Sequence, residues 1–546
     1  MRHASFILLL GLMTSVYSQQ PAHKMNMETP QSRAPVLLTP PIHHPVSTKN
    51  PEAQKAFDQG LSWVYAFNHD EAISAFKRAA SVDPNLAMAY WGIALALGPN
   101  INLDVDPERE KAAYDAVQKA LGLSTNGPGN ERSYIEVLAK RYSTDPKADL
   151  KKLAVDYKTG MGQLMQHYPD DLDAATLYAE AAMDLRPWQL WSADGKPAEG
   201  TEEIVAVLES VLKRNPNHLG AIHYYIHAVE ASPNPERALP YAQRLGKLMP
   251  TAGHIIHMPA HIFERVGDYE NAVRSNEEAA AADRAYILVS SPQGVYPVMY
   301  YSHNLHFLAI AYSMQGKFAD SIKAAKALED NVLPYLKSMP MLEGFTTVSP
   351  LLLVRFSRWQ DIENLPQPNP SLLGATAIFH FARGYSLAAR GNVVEAEDQL
   401  AKLTFVQKQV PADRLFGLNS ASNVLNLAEK VLRARIATAR HDDTSAVALL
   451  REAVQIEDQL AYDEPPVWFH PVRELLGGAL LRSGDPVAAE QTFRDDLARN
   501  KNNGRSLFGL AQSLNAQKKT REAAVVQQQF EKAWKNADTK LSLADY

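Results

Sequence analysis

Small and large apolar residues recur along the chain with a period of 34 residues. The first clear unit begins at Ala53 and places, at its positions 8, 11, 20, 24, 27 and 32, the residues Gly60, Trp63, Ala72, Phe76, Ala79 and Pro84. Small residues let two helices approach closely, and large ones fill the gap to the next unit. The spacing therefore predicts a helix, a tight turn and a second helix that the proline ends.

The same spacing returns further along the chain. Frames that carry it begin at Gly253, Ala377, Leu427, His470 and Gly504. Counting degenerate copies, there are about eight to ten units. No stretch shows sustained alternation of apolar and polar residues with period two, so strands are not expected. The pattern predicts an all-α chain of stacked helical hairpins.

This spacing resembles that of the tetratricopeptide-repeat (TPR) superfamily. The resemblance implies a right-handed α-α superhelix whose concave groove holds a protein or peptide ligand. In that family, positions 2, 5, 9 and 12 of the first helix face the groove. Helical periodicity agrees, because residues i, i+3, i+7 and i+10 share one side of a helix.

Five short stretches also resemble a recurring group of exported bacterial TPR proteins of unassigned activity. They are His-His-Pro-Val-Ser at 43–47, Phe-Asn-His-Asp-Glu-Ala at 67–72, Ala-Met-Ala-Tyr-Trp-Gly at 87–92, Gly-His-Ile-Ile-His-Met-Pro-Ala-His at 253–261 and Glu-Pro-Pro-Val-Trp at 464–468. This resemblance supports the fold and export, and it leaves the activity open.

The first residues predict export. Arg2 precedes a short apolar run from Phe6 to Met13, and Val16-Tyr17-Ser18 offers a cleavage site, so we expect residues 1–18 to be a signal peptide. No later segment reaches the roughly 20 apolar residues that a membrane span needs. The expected location is therefore periplasmic or extracellular.

The composition of the chain excludes several classes of partner and of metal site. The chain of 546 residues has 55 basic and 61 acidic side chains, a balance that does not call for nucleic acid as a partner. It has no cysteine, which excludes disulfides, thiolate metal sites and iron–sulfur clusters.

The units divide the mature chain unevenly. Insertions at 188–200 and 286–300 interrupt the array, and insertions in solenoids tend to lie on the binding face. Trp188 and Trp191 on the first insertion could cover the groove. The predicted segments are an irregular lead-in at 19–48, an N-terminal TPR array at 49–341, an irregular connection at 342–370 and a C-terminal TPR array at 371–546.

Histidines concentrate on the predicted groove. Frames from Leu219, Gly253 and Ser302 have histidine at seven of twelve groove positions, whereas 17 histidines in 546 residues predict about 0.4. Glu230 shares this face. The seven histidines are His223, His227, His254, His257, His261, His303 and His306.

This pattern suits a metal ion. Histidines at i and i+4, as in His223 with His227 and in His257 with His261, can hold one ion between two imidazoles. Glu230 could be a third ligand, an outer-shell partner or a general base. Imidazole and carboxylate suit Zn, Cu, Ni or Fe without choosing among them. Pro259 should kink or restart its helix and so re-aim His257 and His261.

Three functions remain open. The preferred hypothesis is an exported scaffold that binds a ligand in the groove together with a divalent transition metal. A metal-free adaptor for an extended peptide is the first alternative, and a metal-dependent hydrolase or oxygenase with Glu230 as base is the second. Nitrogens that converge within about 4 Å would favour a metal, and splayed ones a peptide. We expect the remaining candidates to be structural: His43, His44, His69, His380 and His470.

Overall fold

A computed structural model describes residues 39–292 and 294–546. The predicted signal peptide and residues 19–38 of the lead-in lie outside this range. The described chain is helical almost throughout, and consecutive helices pair as antiparallel hairpins that stack into a TPR-type solenoid, which confirms the predicted fold class.

The helices of the first half lead up to the histidine-rich region. They are α1 (Pro51–Tyr65), α2 (His69–Val82), α3 (Ala87–Leu97), α4 (Pro107–Leu123), α5 (Gly129–Leu138), α6 (Leu150–His167), α7 (Leu172–Met183), α8 (Thr201–Arg214), α9 (Leu219–Val229), α10 (Leu239–Leu248), α11 (Gly253–His257), α12 (Pro259–Arg265) and α13 (Tyr269–Ser290).

The second half continues the hairpins. It contains α14 (Tyr301–Met314), α15 (Phe318–Val332), α16 (Val348–Arg355), α17 (Trp359–Glu363), α18 (Leu373–Ala389), α19 (Val393–Gln407), α20 (Ala421–Ala439), α21 (Asp443–Glu457), α22 (Val472–Arg482), α23 (Pro486–Arg499), α24 (Gly504–Ala516) and α25 (Thr520–Ala533). A π-helical turn, Tyr296–Tyr300, precedes α14. Short 3-10 helices lie at Ser124–Asn126, Ala139–Arg141, Pro235–Ala238, Leu333–Tyr335, Pro340–Thr347 and Leu543–Asp545.

Glycine–aromatic contacts explain the repeat spacing. Phe76 of α2 lies between Gly60 of α1 and Gly92 of α3, and a Cβ added at Gly60 would lie 2.6 Å from the Phe76 ring. Phe493 of α23 lies in the same way between Gly477 and Gly509. The small residue at position 8 is therefore required because the ring from the second helix occupies the space of its side chain.

Two local features differ from expectation, and a third agrees with it. The connection predicted to be irregular at 342–370 is mostly helical, since Pro340–Thr347, α16 and α17 occupy most of it, and the stretch after Glu363 has no regular secondary structure. A small hairpin of β1 (Leu415–Phe416) and β2 (Asn419–Ser420) appears where no strand was expected. As predicted, Pro259 interrupts its helix, and the break separates α11 from α12.

The C-terminal units fold back onto the N-terminal array. The hydroxyl of Tyr269 donates to the carbonyl of Lys501 at 3.0 Å, and the Asp538 carboxylate accepts the backbone N–H of Phe318 at 2.7 Å at the start of α15. This curl brings residues that are hundreds of positions apart next to the histidines. None of the described helices combines the length and the apolar character that crossing a bilayer requires.

Candidate metal centre

Six of the seven groove histidines form two clusters. We call His223, His227 and His254 the first triad. The Nε2 atom of His223 lies 3.1 Å from Nε2 of His227 and 3.1 Å from Nε2 of His254. Two of these ligands come from α9 and one from α11, so the first triad bridges two successive units of the solenoid.

The second triad consists of His257, His261 and His303. Nε2 of His261 lies 2.9 Å from Nε2 of His257 and 3.5 Å from Nε2 of His303. These residues belong to α11, α12 and α14, so this triad bridges the next pair of units. The helix break at Pro259 lies within it, and His254 and His257 on one short helix serve different triads.

The spacing of the nitrogens matches a metal site. Three imidazoles around one ion at about 2.0–2.1 Å in tetrahedral geometry place their nitrogens about 3.3 Å apart. The observed Nε2–Nε2 distances of 2.9 to 3.5 Å bracket that value. Each triad offers three ligands, and a tetrahedral ion would keep one position open.

Hydrogen bonds at Nδ1 orient the ligand rings. His223 donates through Nδ1 to the carbonyl of Tyr65 at 2.6 Å. His257 donates through Nδ1 to Oδ1 of Asn276 at 2.6 Å, and the Asn276 amide is itself oriented because its Nδ2 donates to the carbonyl of Ala272. A ring that carries its proton on Nδ1 has a lone pair on Nε2, so these bonds aim lone pairs into the triads.

One carboxylate links the two triads. Oε1 of Glu230 accepts from Nδ1 of His227 at 2.9 Å, and Oε2 of Glu230 lies 2.5 Å from Nδ1 of His261. Burial alone would raise the pKa of Glu230, yet His261 and His227 lower it to about 2. Of the three roles considered for Glu230, this geometry favours that of an outer-shell partner.

A second carboxylate reaches the centre from the C-terminal half. Oε2 of Glu464 accepts from Nδ1 of His261 at 3.0 Å, and Tyr462 donates its hydroxyl to the same oxygen. Burial alone would lower the pKa of His261, but Glu230 and Glu464 raise it to about 10. Because a carboxylate that accepts from Nδ1 makes its imidazole partner more basic, this contact would strengthen His261 as a ligand.

The pKa values of the other triad histidines are lowered. Burial, followed by repulsion from a neighbouring histidine, lowers the pKa of His223, His254, His257 and His303 well below the ordinary value. The pKa of His227 is also lowered, mainly by burial. Neutral imidazoles are the form that binds metal ions.

Aromatic rings enclose the centre. Phe67 stacks on His254 with ring centroids 5.6 Å apart, and Phe307 packs on His257 at 4.6 Å. Five of the six triad histidines are thus buried instead of lining an open groove, with His223, His257 and His261 0% exposed, and His303 is half-buried.

A glycine in α9 allows this helix to pack closely against α1. Gly220 lies against the ring of Tyr65, where a Cβ atom would overlap the ring, so α9 can approach α1 closely. That approach brings His223 to the backbone carbonyl of Tyr65.

A narrow cleft reaches the first triad. Trp188, Trp191, Tyr462, His227 and Glu230 are among the residues that line it. The Trp188 ring lies edge-on to His227 with centroids 5.5 Å apart, and Nε1 of Trp191 donates to the carbonyl of Ala228. The first insertion therefore lies over the histidines, where the sequence analysis expected a cover.

The remaining candidates lie outside the triads. His306 packs against Phe345 with centroids 5.6 Å apart, and burial lowers its pKa to about 3. His44 is buried and bonds through Nδ1 to Asp173 at 2.8 Å, so this part of the lead-in folds against the array. The other four also have polar neighbours: His43 contacts Asp58, His69 contacts Asn100, His380 contacts Gln399, and His470 lies near Glu474.

Sequence reasoning missed the residues that orient the ligands. Asn276, the Tyr65 carbonyl and Glu464 did not figure as site residues. Glu464 begins the Glu-Pro-Pro-Val-Trp stretch, which the sequence marks only through its resemblance to exported TPR proteins. That stretch was the one available signal.

Comparisons with known proteins concern the fold. No protein-family model matches the chain, and no curated protein sequence matches it. Similar solved structures include the human IFIT1 dimer with m7Gppp-AAAA (13% identity, TM-score 0.34, covering 89% of this chain and 91% of that chain). Others are the P58(IPK) TPR domain (12%, 0.24, 86% and 99%) and Cut9 with Hcn1 from the APC/C (14%, 0.32, 86% and 78%).

Proposed function

We propose that this chain is a metal-binding protein that holds two transition-metal ions, one in each histidine triad, on a TPR-type scaffold. The observation that carries the proposal is the contact between His223 and His227. The Nδ1 atom of each ring donates to an oxygen, of Tyr65 and Glu230 respectively, yet the two Nε2 atoms lie 3.1 Å apart.

Two lone pairs at that distance repel each other unless a cation lies between them. A neutral imidazole that donates through Nδ1 has only an acceptor at Nε2, so the two rings cannot bond to each other directly. A proton could bridge the pair, but burial disfavours a charged imidazole here. A metal ion satisfies three lone pairs at once and so removes the repulsion.

Burial argues against the peptide adaptor. An extended peptide needs side chains that line an accessible groove. In this chain the ligand histidines converge and most are fully enclosed, with His254 2% and His227 5% exposed. The four Nε2–Nε2 distances of 2.9 to 3.5 Å meet the criterion of convergence within about 4 Å that favours a metal over a peptide.

The imidazole nitrogens and Glu230 limit which metals and which reactions the two triads would support. Three imidazoles per ion suit Zn, Cu, Ni or Fe, and Glu230 would serve both sites from the outer shell. Since both oxygens of Glu230 are engaged by imidazole Nδ1 atoms, it is poorly placed to act as the general base of a hydrolase.

Export is part of the proposal. Arg2, the apolar run that follows it and the small residues before position 19 support cleavage after Ser18. Intact-mass measurement of the protein from a native-like bacterial host should give a chain that begins at Gln19. A full-length chain that begins at Met1 and stays in the cytoplasm would contradict export.

Elemental analysis tests metal binding. The protein, purified without a His tag, is dialysed against Zn, Cu, Ni and Fe in turn and should retain two ions per chain of at least one of these metals. A His223→Ala/His257→Ala variant should retain none, and a His306→Ala variant, which alters a half-buried histidine outside both triads, should match the parent. A parent chain that takes up none of the four metals would overturn the proposal.

A further inference from the structure

Helix α1 ends at the residue that orients His223. Tyr65 is the last residue of α1, and the chain turns away just after it, where Phe67 has a φ of 55°. The last carbonyls of a helix have no partner within the helix, so the Tyr65 carbonyl can accept from a side chain. His223 donates to it through Nδ1 at 2.6 Å, which fixes the direction of Nε2 in the first triad. The orientation of His223 therefore depends on what holds Tyr65 in place.

A carboxylate holds Tyr65 at the other end of its side chain. The Tyr65 hydroxyl donates at 2.6 Å to Oδ1 of Asp173, which lies in the first turn of α7. Between hydroxyl and backbone, the ring packs against Gly220 of α9, where a Cβ atom would overlap it. Because the ring is rigid and fully buried, the bond to Asp173 also restrains the backbone of Tyr65.

The same carboxylate holds the helix that carries His223. Nε2 of His218 lies 3.3 Å from Oδ1 of Asp173, and Nδ1 of His218 accepts the backbone N–H of Ala221 at 3.2 Å. This second bond caps the start of α9, so Nδ1 is the acceptor of the His218 ring and Nε2 carries the proton that faces Asp173. Asp173 thus restrains both partners of the bond between His223 and Tyr65.

The lead-in segment fixes Asp173 in turn. His44 is buried, and its Nδ1 lies 2.8 Å from Oδ2 of Asp173. The backbone N–H of His44 donates to Oδ1 of Asp58 in α1 at 3.0 Å, so this part of the lead-in is anchored on α1 and α7 together. The oxygen of Asp173 that Tyr65 and His218 do not contact is therefore held by a residue that precedes the first helix.

We propose that Asp173 and His44 are positioning residues for the first triad: the docked lead-in holds Asp173, and Asp173 holds Tyr65 and α9 so that Nε2 of His223 points at the metal. This inference rests on the proposed function, which supplies the metal site, and it adds control of that site by the lead-in. We call His44, Tyr65, Asp173 and His218 the Asp173 network. The ligands of the second triad lie on α11, α12 and α14, which carry no member of this network, so only the first triad should depend on it.

Metal affinity in chains that keep one triad tests the Asp173 network. A His303→Ala chain keeps the first triad intact, and a His254→Ala chain keeps the second. In the His303→Ala chain, Tyr65→Phe removes the bond to Asp173 but keeps the ring and the carbonyl. It should lower the affinity for zinc about tenfold in competition with a chelator. In the His254→Ala chain the same change should have no effect.

Matched variants separate the network from its surroundings. Tyr134→Phe removes the hydroxyl of another buried tyrosine, which donates to Asp171 at 2.8 Å, and should leave zinc affinity at the first triad unchanged. His44→Ala should lower that affinity about three- to tenfold, as the loss of one hydrogen bond does. His43→Ala alters the exposed neighbour, which bonds to Asp58, and should have no effect.

The metal-free chain gives a second readout. Nitrogen magnetic resonance of isotopically labelled histidine distinguishes a protonated Nδ1 from an unprotonated one, and a His223→Ala chain identifies the His223 signal. In the parent this signal should be that of a protonated Nδ1. In Tyr65→Phe and in His44→Ala it should shift toward the other tautomer, because the carbonyl that accepts from Nδ1 is no longer held in place. Circular dichroism checks that the helices persist in each variant.

The outcomes distinguish this inference from the proposed function. A parent chain that binds two ions, with Tyr65→Phe and His44→Ala indistinguishable from it at the first triad, would overturn the positioning role and leave the metal sites in place. An equal loss of affinity at both triads would indicate a general loss of stability and would also overturn that role. A parent that binds no metal would overturn the proposed function, and an unchanged His223 signal in both variants would then overturn this inference as well.

Discussion

His227 and His261 share a single carboxylate: Oε1 of Glu230 bonds to Nδ1 of the first at 2.9 Å, and Oε2 lies 2.5 Å from Nδ1 of the second. The two histidines are 34 residues apart and so occupy the same position in successive units. Equivalent positions of a regular solenoid lie side by side, and the residue that follows α9 is near both. The repeat itself therefore builds the link between the triads.

Replacement of Glu230 should weaken both metal sites. In Glu230→Gln one carboxylate oxygen becomes an NH₂ group, which cannot accept from an imidazole N–H, so at least one ligand ring loses its orienting partner. We expect metal affinity to fall about 10–100-fold, as is usual for outer-shell partners. Competition with a chelator of known affinity measures the change. Glu264→Gln is the control, since Oε1 of Glu264 has no hydrogen-bond partner among the described residues.

Glu464 should affect only the second triad. Its carboxylate contacts His261 and not the first triad's ligands, so Glu464→Gln should weaken one of two ions and leave the other at the parent's affinity. The same chelator titration would then show two distinct steps. Equal weakening of both ions would contradict this division of roles.

Each triad should load independently when the other is removed. His254→Ala removes a ligand from the first triad and His303→Ala one from the second, so each variant should retain about one ion per chain at saturating metal. Circular dichroism at each step checks that the helices persist. Complete loss of metal from either variant would indicate one shared site in place of two.

Glycine at the repeat's position 8 should be sensitive to size. In Gly60→Ala the added methyl group would lie 2.6 Å from the Phe76 ring, and overpacking of this kind lowers the free energy of unfolding by about 1–3 kcal/mol. Gly122→Ala, with nothing within 4 Å of the new methyl group, should be neutral or stabilising by up to about 1 kcal/mol. Denaturant unfolding of both variants checks the contrast.

A buried cluster of three charges outside the triads should support the fold. Glu474 accepts from Arg505 at 2.7 Å and Arg355 at 3.2 Å, and all three side chains are enclosed. Glu474→Gln would leave two buried cations without this partner, which typically costs about 3–5 kcal/mol.

The same cluster predicts a pH dependence. Burial alone would raise the pKa of Glu474, but Arg355 and Arg505 lower it from 4.5 to about 2. Because the folded pKa lies below the unfolded one, the contribution of Glu474 is complete above pH 4.5 and is lost as the pH falls toward 2. The parent chain should therefore lose more stability than Glu474→Gln over that range. Denaturant unfolding at pH 7, 4 and 3 measures the difference.

The sequence by itself determined the helical hairpins and the concentration of histidines on one face of them. Helix periodicity is a local property, so spacing alone placed Gly60, Phe76 and Pro84 in a helical hairpin and put the histidines on one face. His223 stays with His227 in one triad, and His257 stays with His261 in the other. Residues i and i+4 lie on the same side of a helical segment, so local spacing is enough to bring each pair together.

Only the tertiary structure decided which histidines meet across units. His254 joins the first triad and His257 the second although both lie on α11, and His306 joins neither. The outcome depends on the rotation between successive hairpins and on the restart of the helix at Pro259, which no local pattern specifies.

Contacts between distant parts of the chain decided which residues orient the triad histidines and how deeply the two triads are buried. Glu464 reaches His261 across 203 residues, and His223 finds the Tyr65 carbonyl across 158. Such contacts arise from the sum of many small rotations along the solenoid, together with the packing of the C-terminal units on the N-terminal array. Because each rotation depends on side-chain packing between neighbouring units, the sequence pattern predicts the hairpins but not where the curled array brings distant residues together.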